Sequence, residues 1–272
     1  DRYELYSEQL TSDAVQSFSV EQDLRQALQE DQLVLHYQPQ YRLDDGRLCG
    51  FEALVRWQHP QRGLLGPDQF IPLAEETQLI IPLGWQVIEK ACAQLSQWLA
   101  QGLDIPLVAI NISPHQLLQS DFIAHLNSLV DGTGLERRRI ELEITESMIQ
   151  QDPDFVIQQL QRLRLSGYHL ALDDFGTGFS SLDRLKYLPL NRLKIDKSFT
   201  RDIGRNPKDE AVILTVIALG RSLGVEVLAE GVETEKQREF LKQHQCNSMQ
   251  GFLMGKPVPA DLVSVPGARK AI

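Results

Sequence analysis

Cysteine is scarce. The chain of 272 residues has three, Cys49, Cys92 and Cys246, widely scattered and with no C-x-x-C spacing. That excludes a disulfide scaffold and a thiolate zinc site, and leaves buried thiols in a reducing compartment as the reading. Long apolar runs are lacking too. The longest, Val212 to Leu219, is interrupted by Thr215 and falls far short of a membrane span. No apolar core follows Asp1, Arg2 and Glu4, as a secretory signal would require. A soluble, cytoplasmic piece with no membrane partner is therefore expected. Positive charge is in deficit, with 27 basic against 37 acidic residues and a formal net charge of −10. A nonspecific binder of nucleic-acid polymers would need basic patches to release phosphate counterions, so that class is disfavoured. A small phosphate ligand is not excluded, because bound metals can invert the local sign. The histidines His36, His59, His115, His125, His169 and His244 show no metal-ligand spacing, and Gly176-Thr177-Gly178 lacks the spacing of a Walker phosphate loop.

What is present is enough apolar residue, 42%, for a substantial core. Short β-rich runs alternate with helical ones. Strands are predicted near 33–40, 48–57, 106–112, 140–146, 169–174, 192–196, 225–230 and 248–253. Helical patterns fall near 21–30, 84–100, 115–130, 154–165, 180–188, 208–223 and 234–244. Eight strands with interleaved helices fit an α/β architecture of the TIM-type (β/α)8 barrel, whose usual size is roughly 250 residues. One connection breaks the pattern. Between "LVLHYQPQYRL" and "RLCGFEALVRW" lies only Asp44-Asp45-Gly46, a hairpin signal. A parallel crossover needs a dozen or more residues, so the barrel is modified by one antiparallel strand. Residues 1–20 stand outside the rhythm and read as a linker or the tail of an upstream domain. Residues 21–265 form the barrel, and 266–272 a C-terminal tail.

In such a barrel, chemistry gathers where strands end. The second strand carries Glu52, with Leu54 and Arg56 on the same face by the two-residue period. The third ends in Asn111; the fourth holds Glu141 and Glu143, followed by Glu146. The fifth ends in Asp173 and Asp174, the sixth in Lys194 and Asp196, the seventh in Glu230, and the eighth begins near Gln250. Each has a bland reading. Glu52 and Arg56 would make a structural ion pair, Asn111 a helix cap, Lys194 and Asp196 a routine strand-end pair, and Glu230-Gly231 a turn. Their recurrence at successive strand ends is the stronger signal. Oxygen donors of this kind suit Mg²⁺ or Mn²⁺ rather than zinc. The five carboxylates of Glu52, Glu143, Asp173, Asp174 and Glu230 are balanced by two divalent ions and Lys194. Without cations such a cluster repels itself.

The segments "EALVRW", "NIS", "ELEITES", "DDFGTGFSSL", "LKID", "AEGVE" and "MQGFLMGKPVP" occur in the order and spacing of the EAL-type cyclic di-GMP phosphodiesterases, which this chain resembles from about Leu24 to about Leu262. The resemblance implies a modified (β/α)8 barrel and hydrolysis of cyclic di-GMP to linear pGpG by a water activated between two Mg²⁺ or Mn²⁺ ions, with Ca²⁺ inhibitory. By position it implies Glu52, Asn111, Glu143 and Asp173 as ligands of one metal. Asp173 would bridge, with Asp174 and Glu230 serving the second ion. Lys194 would contact the nucleophilic water, with Glu52, Glu230 and Gln250 as further catalytic residues. Arg56, Leu54 and Asp196 would contact substrate, and Glu146 would order the loop containing Gly176, Thr177 and Gly178. That loop would also reach a homodimer contact after the fifth strand. "DRYELYSEQL" resembles the closing segment of a GGDEF domain, implying upstream regulatory domains. The rival reading is a non-catalytic cyclic di-GMP receptor or interaction module. Degenerate members of that kind lose metal ligands or the Gly-Thr-Gly loop, and here all of them are intact.

Overall fold

The computed structural model describes residues 20–176 and 185–265, apart from the side chains of residues 150 and 151. Thr177, Gly178, the helical pattern near 180–188 (except its last residues) and both predicted tails lie outside it. Eight strands close a ring: β1 (Leu33–Arg42), β2 (Leu48–His59), β4 (Val108–Asn111), β5 (Ile140–Thr145), β6 (His169–Phe175), β7 (Arg192–Ile195), β8 (Glu226–Ala229) and β9 (Ser248–Gln250). Two short strands extend the β1–β2 hairpin, β3 (Gly63–Leu65) beside β2 and β10 (Val258–Pro259) beside β1. β1 is the reversed strand, antiparallel to both β2 and β9, while every neighbour from β2 round to β9 is parallel. The hairpin turns at Gly46, with φ of +70°, and Arg42 donates to the Asp44 carboxylate across it.

Strand alternation sends the large apolar side chains outward. Leu33, Leu35 and Tyr37 of β1 and Phe51 of β2 are buried on that face, and the rings of Tyr37 and Phe51 meet Trp98 at 4.7 and 5.6 Å. Trp98 belongs to the helix Ile80–Ala100. Its buried residues Ile80, Leu83, Val87, Ala91, Leu95 and Trp98 recur at the three- and four-residue spacing of one helical stripe. Burying a side chain of this size contributes roughly 1.5–3 kcal/mol, so the layer between barrel and helices carries the stability.

Helix ends follow local chemistry. Asn206 caps the helix Pro207–Leu223 through Lys208 N–H, Pro207 occupies its first turn, and Gly224 ends it at φ +69°. The pattern near 115–130 resolves into two helices, Pro114–Leu117 and Phe122–Gly132, split at the polar Gln119-Ser120-Asp121. A further helix, Glu146–Gln151, starts directly after β5.

The inward face is polar. Register sets Gln38 opposite Glu52, Gln40 opposite Gln250, Asn111 opposite Glu143 and Thr145 opposite Asp173. Gly251, next to Gln250, packs its α-carbon on the Val232 backbone, and a β-carbon there would collide with the Val232 carbonyl. Gly251→Ala is therefore expected to destabilise the fold by roughly 1–3 kcal/mol, as overpacking does. Thermal unfolding measures it, and an unchanged Tm would refute the close approach.

Candidate active site

Lys194 is the centre of the C-terminal mouth. Its side chain is fully buried, and its ammonium lies 2.7 Å from Glu143 Oε2, 2.8 Å from Glu230 Oε1, 3.1 Å from Asp173 Oδ2 and 3.7 Å from Glu52 Oε1. Four strands and the turn after β8 deliver these groups to one point. Burial alone would lower the Lys194 pKa, but Asp173, Glu143, Glu230 and Glu52 together drive it well above the ordinary value.

Glu52 is held from both sides: Asn111 Nδ2 donates to its Oε1 at 2.9 Å and Gln250 Nε2 to its Oε2 at 2.5 Å. Burial opposes the charge on Glu52, yet the ammonium and these two amides bring its pKa below the usual range. The capping role open to Asn111 is taken by Ser113, which forms a reciprocal capping box with Gln116. Nor do Glu52 and Arg56 form an ion pair. Arg56 is half-buried further along β2 and donates to the Val55 carbonyl at 2.8 Å. Leu54, between them, faces His36 across the hairpin.

Asp173 and Asp174 share the site through a bulge. Leu172 pairs with Leu193 and Phe175 with Ile195, so β6 advances three residues while β7 advances two. Asp174 takes the extra step at φ +54°, a conformation aspartate tolerates better than most residues, and its amide donates to Asp173 Oδ1 at 2.9 Å. Neighbouring side chains of a regular strand point to opposite faces; here both carboxylates turn to one place. Gly176 continues the chain at φ +98°.

The resulting donors form two overlapping groups. Carboxylate oxygens of Glu52, Glu143 and Asp173 lie within 4.8 Å of one another, and so do those of Asp173, Asp174 and Glu230. Asp173 belongs to both. Glu143 Oε1 is buried with no hydrogen-bond partner. Burial pushes Glu143 well above the carboxylate range, with Glu52 and Asp173 repelling it further. Burial likewise raises Glu230, to about 8, against the attraction of Lys194. Asp174 rises through burial and then through Asp173 and Asp196. An all-oxygen set, one shared carboxylate and one orphaned buried oxygen fit a pair of hard divalent cations.

The structure also places the other expected residues. Asp196 caps the helix Lys197–Arg201 through Ser198 N–H at 3.0 Å, and does not pair with Lys194. Glu146 is buried, and neither carboxylate oxygen has a hydrogen-bond partner among the described residues. Glu230 combines turn and site: Gly231 at φ +66° makes the turn that brings the carboxylate back to Lys194. Glu141, which shares its face with Glu143, lies one layer deeper and pairs with Arg192 at 2.6 Å.

Sequence reasoning missed that deeper layer. Gln250 Nε2 also donates to Gln38 Oε1 at 3.0 Å, Gln40 Nε2 donates to Gln250 Oε1 at 2.9 Å, and Arg192 donates to Gln40 Oε1 at 3.2 Å. The signal available was the pair of glutamines at alternate positions in "HYQPQY", which the strand period puts on one face.

Two tests follow. Lys194→Met leaves buried carboxylates without their cation, which typically costs about 3–5 kcal/mol. A large fall in Tm under chelation, relieved by Mg²⁺, is expected; an unchanged Tm would remove Lys194 from its central place. Glu230, Glu143 and Asp174 have raised folded-state pKa values, so their contribution is fully present below the unfolded value and lost as pH rises. For Glu230 that loss runs from 4.5 to about 8. Metal binding must release its proton, so Mg²⁺ affinity should climb across the same interval. Calorimetric titration below and above it reads the change; affinity independent of pH would contradict the assignment.

The comparisons agree with this geometry. The family model described as EAL domain matches residues 21–257. The chain is similar to the bifunctional diguanylate cyclase/cyclic di-GMP phosphodiesterase MucR of Pseudomonas aeruginosa, 42% identical over 259 residues, covering 95% of this chain and 38% of that protein. It is also similar to the cyclic di-GMP phosphodiesterase NbdA of Pseudomonas aeruginosa, 42% identical over 256 residues, covering 94% of this chain and 33% of that one. The chain thus spans about a third of the length of these curated relatives. Among solved structures, the PaMucR phosphodiesterase in complex with c-di-GMP superposes with a TM-score of 0.86 at 44% identity, covering 89% of this chain and 98% of that one. The chain belongs to the EAL domain family.

Proposed function

We propose that this domain is a metal-dependent phosphodiesterase that opens cyclic di-GMP to linear pGpG. The observation that carries the reading is the pair of carboxylate groups sharing Asp173 around a buried Lys194. A receptor that only bound the nucleotide would have no need of five acidic side chains facing an anion. The names of MucR and NbdA support the substrate.

Glu52, Asn111, Glu143 and Asp173 would hold one Mg²⁺ or Mn²⁺ ion, and Asp173, Asp174 and Glu230 the second. When bound, the two ions supply a water acidic enough to attack near neutral pH and positive charge for the phosphoryl oxygens. The reaction consumes one water, forms one P–O bond and breaks the P–O3′ bond, and the departing 3′-oxygen takes up a proton. Lys194 orients the attacking water and offsets charge developing on phosphorus. Gln250 and Asn111 keep the Glu52 carboxylate in position, as their hydrogen bonds already do. Arg56 and Leu54 sit farther out on β2, where Arg56 would hold a substrate phosphate; Asp196 would receive substrate beside Asp174. Glu146 would order the loop of Gly176, Thr177 and Gly178, and that loop would connect the site to a homodimer contact. Residues 1–20 would lead from an upstream regulatory domain, and a cytoplasmic location suits a nucleotide substrate. None of the described helices is long and apolar enough to cross a membrane.

Glu52→Ala should abolish conversion of cyclic di-GMP to pGpG in Mg²⁺ or Mn²⁺. Ca²⁺, with its longer and looser coordination, should support binding without turnover. Chromatographic separation of substrate and product checks both. Tight binding without conversion by the parent protein in Mg²⁺ would turn the reading to a receptor.

A further inference from the structure

We infer that the short helix Lys197–Arg201 is a wedge that sets the span of the second donor group, with Phe199 as its positioning residue. This rests on the proposed reading of Asp173, Asp174 and Glu230 as donors to one cation. Their side chains come from two turns, one at the end of β6 and one after β8. β7 lies between those strands and passes at Asp196 directly into the helix. Ile195, the last residue of β7, pairs with Phe175 on one side and with Ala229 on the other. Its carbonyl also accepts from Glu230 N–H at 3.0 Å. The helix that follows touches both turns.

On the β6 side, Phe199 lies over the α-carbon of Gly176. A β-carbon there would stand 3.1 Å from Phe199 Cε2 and 3.4 Å from its Cζ, with Val212 Cγ1 at 3.6 Å. Gly176, at φ +98°, follows the bulge that turns Asp174 toward Asp173. The ring therefore bears on the exit of the bulge, two residues beyond Asp174. On the β8 side, Lys197 lies against Gly231, where a β-carbon would stand 2.6 Å from Lys197 Cβ and 3.1 Å from its Cα. Gly231 makes the turn that returns Glu230 to the site. Gln237 pins the same helix from beyond that turn. Its Nε2 donates to the Thr200 carbonyl at 3.1 Å, and its Oε1 accepts from the N–H groups of Glu233 and Thr234, both at 2.8 Å. Gln237 and Thr200 are both buried.

These contacts favour one donor group over the other. Glu52, Asn111 and Glu143 stand on β2, β4 and β5, which none of them reaches. Asp173 belongs to both groups and is held separately by Lys194 at 3.1 Å. Packed side chains pass a displacement on rather than absorb it, and ligand geometry tolerates little error. Removing the Phe199 ring should thus shift Asp174 relative to Glu230 and spare the first group.

Two measurements on the full chain test the wedge. In metal-free protein labelled with ¹⁵N-glycine, Phe199→Ala should move the signals of Gly176 and Gly231 together and leave Gly50 and Gly84 in place. Phe199→Leu, which keeps much of the apolar volume, should move both less. In calorimetric titration with Mg²⁺, Phe199→Ala and Gln237→Met should each weaken one ion about tenfold and leave the other within about twofold, as loss of a ligand's supporting partners does. Leu126→Ala, a buried change on the helix Phe122–Gly132, should lower Tm and spare both ions. Movement of Gly176 without Gly231 would overturn the proposal. So would a Mg²⁺ affinity that Phe199→Ala leaves unchanged or lowers equally at every ion, or a loss that Leu126→Ala reproduces. A parent that takes up no Mg²⁺ would remove the two-metal reading instead, and the glycine signals would still decide the wedge.

Discussion

A lysine ammonium with no exposure to water, touching four carboxylates, is the constraint on which this barrel depends. TIM-type barrels usually fill their interior with layers of branched apolar side chains. Here two of those layers are ionic: Lys194 with Glu52, Glu143 and Asp173 above, Arg192 with Glu141 and Gln40 below. Such layers gain little net stability, since desolvating ions consumes most of what their attraction returns. The fold must therefore be stabilised from outside the ring, where Trp98, Tyr37 and Phe51 pack between strands and helices. In exchange the interior specifies geometry. Glu52, Glu143, Asp173 and Glu230 all face one fixed cation, so their oxygens are gathered by the fold itself.

The adjacent aspartates show how the backbone serves that set. A regular strand would have sent one carboxylate to the mouth of the barrel and the other into the helical layer, where an unpaired charge is costly. The bulge in β6 and the left-handed turn at Asp174 bring both to one side, and Asp173 then belongs to each donor group. The strain of a positive φ at a non-glycine residue is modest for aspartate and is held by the strands on either side. Gly176 lies two residues on, so the left-handed glycine comes only after both carboxylates are placed.

Much of this was legible in the sequence, because a strand that runs from apolar to acidic at its end announces both its direction and its site. "IELEIT", "LALDD" and "LKID" each do so, and the tight Asp44-Asp45-Gly46 turn marked the reversed strand. What could not be read were roles that depend on depth within the barrel. Glu141 and Glu143 share a face and differ only by one layer, yet one is an arginine partner and the other is grouped with Glu52 and Asp173 around Lys194. Gln38 and Gln40 carry no charge to flag them, and a glutamine on a strand reads equally well as exposed. Arg192 and Lys194 likewise alternate along β7, and only the three-dimensional stack shows that each centres its own layer. Asn111 and Asp196 depart from the routine strand-end roles open to them for a local reason. Ser113 is better placed to cap the helix after β4, which frees Asn111 for Glu52, while Asp196 immediately precedes its own helix and caps it.

The charge of the site sets the order of events in any reaction it supports. Without divalent cations the mouth sets one ammonium among five carboxyl groups, Glu143 and Glu230 with raised pKa values among them, and offers no spare positive charge to a phosphodiester anion. Cation binding and anion binding are then coupled in the favourable sense, and by reciprocity the anion must also tighten the cations. The pKa of Glu230, raised to about 8, belongs to the same balance: a proton occupies the carboxylate when a cation does not. Lys194 alone cannot supply the missing charge, because it is already shared among four acids. The residue that balances the buried acids of the barrel is thus the one least able to serve a phosphate as well.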